Sequence, residues 1–175
     1  GYALPENKAE LTREGALFNN QPPGNLPKGA AYEAGDVPDN AYGDGAIADE
    51  AVRRLEQAKI RPEEPFFLAV GFLKPHLPFC APRKYWDLYQ PDMFTPAALR
   101  EPPEGAPDYA PQFGGELRNY KQMPAKGPID DDIQRTLIHG YYACVSYMDA
   151  QLGRVLEALE TNGFADNTLI VLWGD

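Results

Sequence analysis

Histidine, cysteine and positive charge are all scarce in this chain, and each scarcity narrows the possible functions. Only two of its 175 residues are histidine, His76 and His139, and only two are cysteine, Cys80 and Cys144. No clustered His/Cys ligand set of the kind zinc requires can be drawn from them. Two cysteines this far apart leave the redox compartment open and read as packed or partly exposed free thiols. Lysine and arginine total 16 against 26 aspartates and glutamates, giving a formal net charge of −10 and a pI near 4.6. That balance argues against a general binder of nucleic acid or anionic membrane, although a locally basic pocket for an anionic substrate stays compatible with it. No apolar run reaches 18 residues, so no membrane-spanning segment is expected. There is no GxGxxG or GxxxxGK[ST] phosphate loop, no GxSxG elbow, no internal repeat and no low-complexity tract. No secretory signal is visible, and Gly1 is not an initiator methionine, which leaves room for a preceding segment.

What is present is ordinary globular material, 43% hydrophobic and 24% charged, long enough to bury a sizeable core. Residues 64–79 organise the chain. Residues 66–72 carry no charge, are rich in aromatic and β-branched side chains, and read as a strand buried on both faces. Lys74 and His76 follow, set between Pro75 and Pro78. Each proline fixes its own φ and pushes its predecessor towards an extended conformation. In an extended segment, residues two apart project the same way, roughly 6–7 Å apart. Lys74 and His76 are therefore expected to point together, just past the C-terminal end of a buried strand, where ligands bind in open α/β sheets. Residues 168–175 repeat the pattern, with an apolar run ending in Gly174-Asp175. A core strand running into the last residue reads as a piece of a longer protein.

Taken in order, residues 1–43 are rich in Gly, Pro and Asn, as in 21–25 and 36–40, and read as irregular loop packed on a body outside the chain. Over 45–59, Ile47, Ala51, Val52, Leu55 and Ala58 form one helical stripe, with Asp44 as a candidate cap and Arg61-Pro62 as the stop. Pro82 opens a short helix through Tyr85-Trp86. Residues 91–128 are a long proline-rich connection whose aromatics, Phe94, Tyr109, Phe113 and Tyr120, favour an ordered surface loop. Asp130-Asp131-Asp132 caps the longest element, a helix of about 28 residues by the 3.6-residue repeat, running through Leu137, Cys144, Leu152 and Leu159 towards Gly163. Helices alternating with apolar strands give an α/β fold with a parallel or mixed sheet covered on both faces.

Both apolar runs end in polar residues on what should be one sheet edge. A lysine, a histidine and an aspartate meeting there make a reasonable site; the bland alternative is a turn histidine and a strand-end carboxylate. His139 reads as helix surface or packing. Cys80-Ala81-Pro82-Arg83-Lys84 is similar to the Cys-x-Pro-x-Arg signal for oxidation of cysteine to formylglycine. It puts lysine where arginine is needed, and is rejected. Asp175 leaves open a hard cation with oxygen ligands.

Three segments carry a family resemblance. Residues 65–79 resemble the matching segment of iduronate-2-sulfatase-type sulfatases. Residues 141–154 resemble that family's long helix, and 167–175 the strand leading into its metal-binding Asp-His-Gly. Their order and spacing fit as well, and the likeness covers roughly 44–175. It implies part of an alkaline-phosphatase-like catalytic domain: a three-layer α/β/α sandwich around a mostly parallel mixed sheet. It also implies hydrolysis of sulfate esters, with sulfated carbohydrate as substrate, by a formylglycine supplied from upstream of this chain. His76 then matches the active-site histidine that contacts sulfate and protonates the leaving oxygen, Lys74 a supporting positive charge, and Asp175 a ligand to one Ca2+ ion completed by residues outside the chain. The chain alone would be inactive. Family likeness places such enzymes in periplasmic, extracellular or lysosomal space. Two rivals remain: a phosphomonoester or phosphonate-ester hydrolase of the same superfamily, and a catalytically dead glycan-binding relative.

Overall fold

The structure, a computed structural model, describes residues 1–8, 29–107, 109–110 and 115–174. Residues 21–25, Phe113 and Asp175 lie outside these. In chain order the regular elements are β1 (Tyr32–Gly35), α1 (Gly43–Ala58), β2 (Phe79–Pro82), α2 (Arg83–Trp86) and α3 (Asp131–Thr161), with short 3-10 turns between them. β1 and β2 pair in parallel, with Tyr32 opposite Phe79 and Gly35 opposite Pro82. α3 packs against α1 on one side and β2 on the other.

The two long helices, α1 and α3, form for the reasons their sequences give. The Asp130 carboxylate accepts from the Asp132 amide at 2.8 Å and caps α3, whose first turn adds Asp131 and Asp132. Gly163, at φ +81°, stands just past its end, in the left-handed conformation that favours glycine there. In α1 the cap differs from expectation. Tyr42 takes the N-cap position, and Asp44 sits inside the first turn with its side chain buried. The deepest line on α1 is Asp44, Ala48, Ala51 and Leu55, while Ile47 and Val52 flank it half-buried. Small residues on that line let the chain come close: a Cβ on Gly45 would stand 2.1 Å from the Asp39 carbonyl oxygen. Tyr147 of α3 closes the same contact. Its hydroxyl accepts from the Gly45 amide at 2.5 Å and donates to the Asp39 carbonyl at 2.9 Å.

Three readings of the sequence need correction. Residues 1–43 are not without regular structure, because β1 lies within them, paired by residues 79–82 that read as loop. Residues 66–72 are not buried on both faces. Leu68, Val70 and Phe72 turn inward, half-buried, while Ala69, Gly71 and Leu73 face out, and Phe67 is 93% exposed. The same holds for 169–173, all exposed. Residues 67–73 alternate in burial as a strand does and 169–173 do not, and no described neighbour hydrogen-bonds either run as a sheet partner. The sheet covered on both faces is thus a two-stranded ladder among the described residues. Burial elsewhere is real: Cys80, Ala81, Tyr85, Trp86, Cys144 and Tyr147 form one cluster between β2, α2 and α3.

Candidate active-site loop

The proline-braced loop after the first apolar run is held from beneath. Asp44, 1% exposed, spends both carboxylate oxygens on it, accepting from the Leu73 amide at 3.0 Å and the Lys74 amide at 2.9 Å. A carboxylate accepting two backbone N–H groups suits a buried position, because its charge is met by donors that would otherwise be orphaned. Lys74 is buried too. Its ammonium turns back into the loop and donates to the carbonyls of His76 at 2.8 Å and Pro78 at 2.7 Å. The Lys74-Pro75 and Leu77-Pro78 bonds are both cis, and the His76 amide donates to the Leu73 carbonyl at 3.0 Å. The segment is a tight turn.

This corrects the expectation that Lys74 and His76 project together from an extended chain. Lys74 braces the loop from inside, and His76 stands outside it, with 65% of its side chain exposed. A carbonyl oxygen only accepts, so the 2.8 Å contact between His76 Nδ1 and the Leu77 carbonyl puts a proton on Nδ1. That leaves Nε2 facing outward, 3.6 Å from the Glu116 carboxylate. Neutral, Nε2 accepts a proton or hydrogen bond; charged, it donates one. His139 is the packing histidine expected, its Nε2 2.8 Å from the Trp86 carbonyl, stacked among Trp86, Tyr89 and Phe94.

Both cysteines are buried free thiols, as expected. Burial pushes the Cys144 thiol up to about 12 and the Cys80 thiol higher still, so neither is a nucleophile near neutral pH. Sequence reasoning missed Asp44 as the loop's anchor and Asp39 as a second polar hub. The Asp39 carboxylate meets Lys84 and Tyr85 at 2.8 Å and Gln151 at 3.0 Å, tying the turn before α1 to α2 and α3. A signal existed for Asp44, which is an acid on the apolar face of an amphipathic helix.

A model of the sulfatase family matches residues 6–175. The chain belongs to the sulfatase family. It is 37% identical over 149 residues to iduronate 2-sulfatase of Mus musculus, covering 82% of this chain and 27% of that protein. The corresponding protein of Homo sapiens is 37% identical over 146 residues, 80% of this chain and 26% of the relative. A sulfatase of Formosa agariphila is 38% identical over 124 residues, 69% and 24% respectively. The chain thus spans about a quarter of the length of these curated relatives. Sulfatases have the alkaline-phosphatase-like α/β fold, and the helices and parallel ladder seen here accord with part of it. Among the described residues, no helix is long and apolar enough to cross a membrane. Nor do any three His, Cys, Asp or Glu side chains gather as a cation would need. Asp44, the one buried carboxylate beside the loop, has both oxygens engaged by backbone amides. The described residues of this sulfatase chain do not make up a calcium site.

Proposed function

We propose that the protein to which this chain contributes is a sulfuric ester hydrolase acting on sulfated carbohydrate. Residues 44–175 would form part of its catalytic domain, and residues 1–43 would pack on the remainder. The observation that carries this reading is the outward imidazole of His76, on a loop fastened at Asp44 and Lys74, in a chain matched to sulfatases over 6–175. His76 meets the sulfuryl group and passes a proton from Nε2 to the leaving oxygen, a task suited to an imidazole, whose ring nitrogen can accept or donate a proton. Lys74 acts as a positioning residue: its ammonium holds the carbonyls on either side of the His76–Leu77 turn. By family likeness, Asp175 supplies one oxygen ligand to a calcium ion, and a formylglycine upstream supplies the nucleophile. Calcium, when bound, would neutralise charge on the sulfuryl oxygens.

The test uses the full-length protein, assayed for sulfate release from a sulfated monosaccharide and phosphate release from the matching phosphate ester. Faster hydrolysis of the sulfate supports the proposal. Preference for the phosphate assigns the chain to a phosphomonoesterase, and no turnover of either supports a glycan-binding relative.

A further inference from the structure

His76 has a neighbour that the proton transfer assigned to it does not use. With Nδ1 bound to the Leu77 carbonyl, Nε2 faces the Glu116 carboxylate at 3.6 Å. That is an ion pair when the ring is charged, but it is too long for a hydrogen bond, so the Nε2 proton stays open to a substrate oxygen. Glu116 lies in the 3-10 turn Gly115–Asn119 and divides its two oxygens. Oε1 accepts from the Tyr120 hydroxyl at 2.8 Å, and Oε2 is the one turned to His76. Burial, with the Glu116 carboxylate beside it, raises the Tyr120 pKa, so the phenol keeps its proton and remains a donor that holds the carboxylate in place.

Both partners are pinned to one residue. Ala31, fully buried just before β1, accepts at its carbonyl from the Phe79 amide at 2.8 Å, where the His76 loop ends. The Ala31 amide donates to the Gln122 side chain at 3.2 Å, just past Tyr120. The Lys121 amide adds a bond to the Gly29 carbonyl at 2.9 Å, and Leu117 and Tyr120 pack in the cluster of Ala31, Met123 and Leu137. Arg118 donates to the Pro124 and Gly127 carbonyls at 2.7 Å each and closes the turn on itself. Two exposed side chains on free tethers gain little by pairing. Here the two backbones are set before the side chains meet, so less freedom is lost when they do.

Resting on the sulfatase reading, we propose that Glu116, itself held by Tyr120, is a positioning residue for His76. Its charge draws the protonated ring into one orientation with Nε2 outward. It also repels the sulfuryl oxygens, so the edge of the ester presented to Nε2 is the leaving oxygen. The proton that moves is the one on Nε2. It goes to the leaving oxygen, which departs with the electron pair of its bond to sulfur as sulfur takes up the oxygen of the nucleophile. Glu116 remains a carboxylate throughout.

The experiment uses the full-length protein and Glu116→Gln, which keeps the side chain's shape and an oxygen for Tyr120 but removes the charge. Kinetics are compared on a sugar sulfate, whose leaving alkoxide needs a proton, and on para-nitrophenyl sulfate, whose leaving phenolate does not. On the sugar sulfate kcat should fall about tenfold, and on the aryl sulfate by about twofold at most, a part of what general acid catalysis supplies. Tyr120→Phe, which frees Oε1, should show the same bias with a fall of about threefold, and Glu116→Asp should recover part of the loss. A merely structural role would lower both substrates alike, so equal falls, or none, overturn the proposal. Calorimetry with inorganic sulfate reads the same carboxylate without turnover. Removing a negative charge beside Nε2 should tighten sulfate binding about twofold, less at high salt. Weaker or unchanged binding by Glu116→Gln, or no binding by wild type, overturns the placement of Glu116. A wild type inert on both esters overturns the sulfatase reading, and tighter sulfate binding by the variant then still supports the carboxylate's place beside Nε2.

Discussion

At the scale of single residues, two carboxylates do most to brace the candidate site and its surroundings, Asp44 buried and Asp39 half-buried. Asp44 holds the Leu73 and Lys74 amides with separate oxygens. In Asp44→Asn, one of those amides would face an NH2 group, so a buried donor is left without an acceptor. Urea denaturation should show a loss of about 1–3 kcal/mol; an unchanged midpoint would mean that the tether contributes nothing. Asp39 behaves differently with pH. Burial alone would raise its pKa, but hydrogen bonds from Lys84, Tyr85 and Gln151, with the Lys84 charge, outweigh burial and hold it below the ordinary 3.8. A depressed folded pKa means stability that is present above the unfolded value and lost as pH falls through the folded one. The urea midpoint should therefore be insensitive to this group above about pH 5 and fall below about pH 4, and Asp39→Asn should flatten part of that fall. An Asp39→Asn profile that keeps the full acid-side drop would rule the network out as its source. The place of His76 on a proline-braced loop was legible from the prolines around it. The orientation of Lys74 was not, because an alternation argument presumes an extended backbone and this segment turns.

At the scale of elements, the long helix was the most legible feature. Its capping acids, period and terminal glycine all agree, and α3 runs 31 residues from Asp131 to Thr161. Its buried face also depends on a residue that carries no hydrophobic signal. Gly140 is fully packed, and a Cβ there would meet Trp86 at 2.7 Å and the Phe79 Cβ at 2.9 Å. Gly140→Ala should cost about 1–3 kcal/mol of unfolding free energy despite alanine's better helix propensity, because overpacking outweighs propensity in a close-packed core. A neutral or stabilising effect in denaturant titration would show that α3 can shift away from α2 and β2. The short strands were illegible for an equally physical reason. Four residues are too few to display a period, and residues 79–82 carry two prolines' worth of loop signal around them.

At the scale of the whole molecule, the apolar runs 66–73 and 169–173 present Phe67, Leu73, Leu169, Val171, Leu172 and Trp173 outward. Patches of that kind and unpaired strand edges mark surfaces that other chain normally covers. The 175-residue chain produced alone should bind a hydrophobic dye and self-associate in light scattering, while the full-length protein should do neither; a monomeric, dye-silent chain would show that these runs need no cover. The sequence-level expectation at these places was of strands buried on both faces, and the described residues leave them half-buried at most, because burial belongs to neighbours that a single stretch does not encode. The central claim is that the outward imidazole of His76, fixed from beneath by Asp44 and Lys74, handles the proton in sulfate-ester cleavage. The most direct measurement is kcat of His76→Ala in the full-length protein on a sulfated sugar. A fall of about 100-fold or more with an unchanged unfolding midpoint is predicted, on the scale of a lost general acid, and turnover close to wild type would contradict the account.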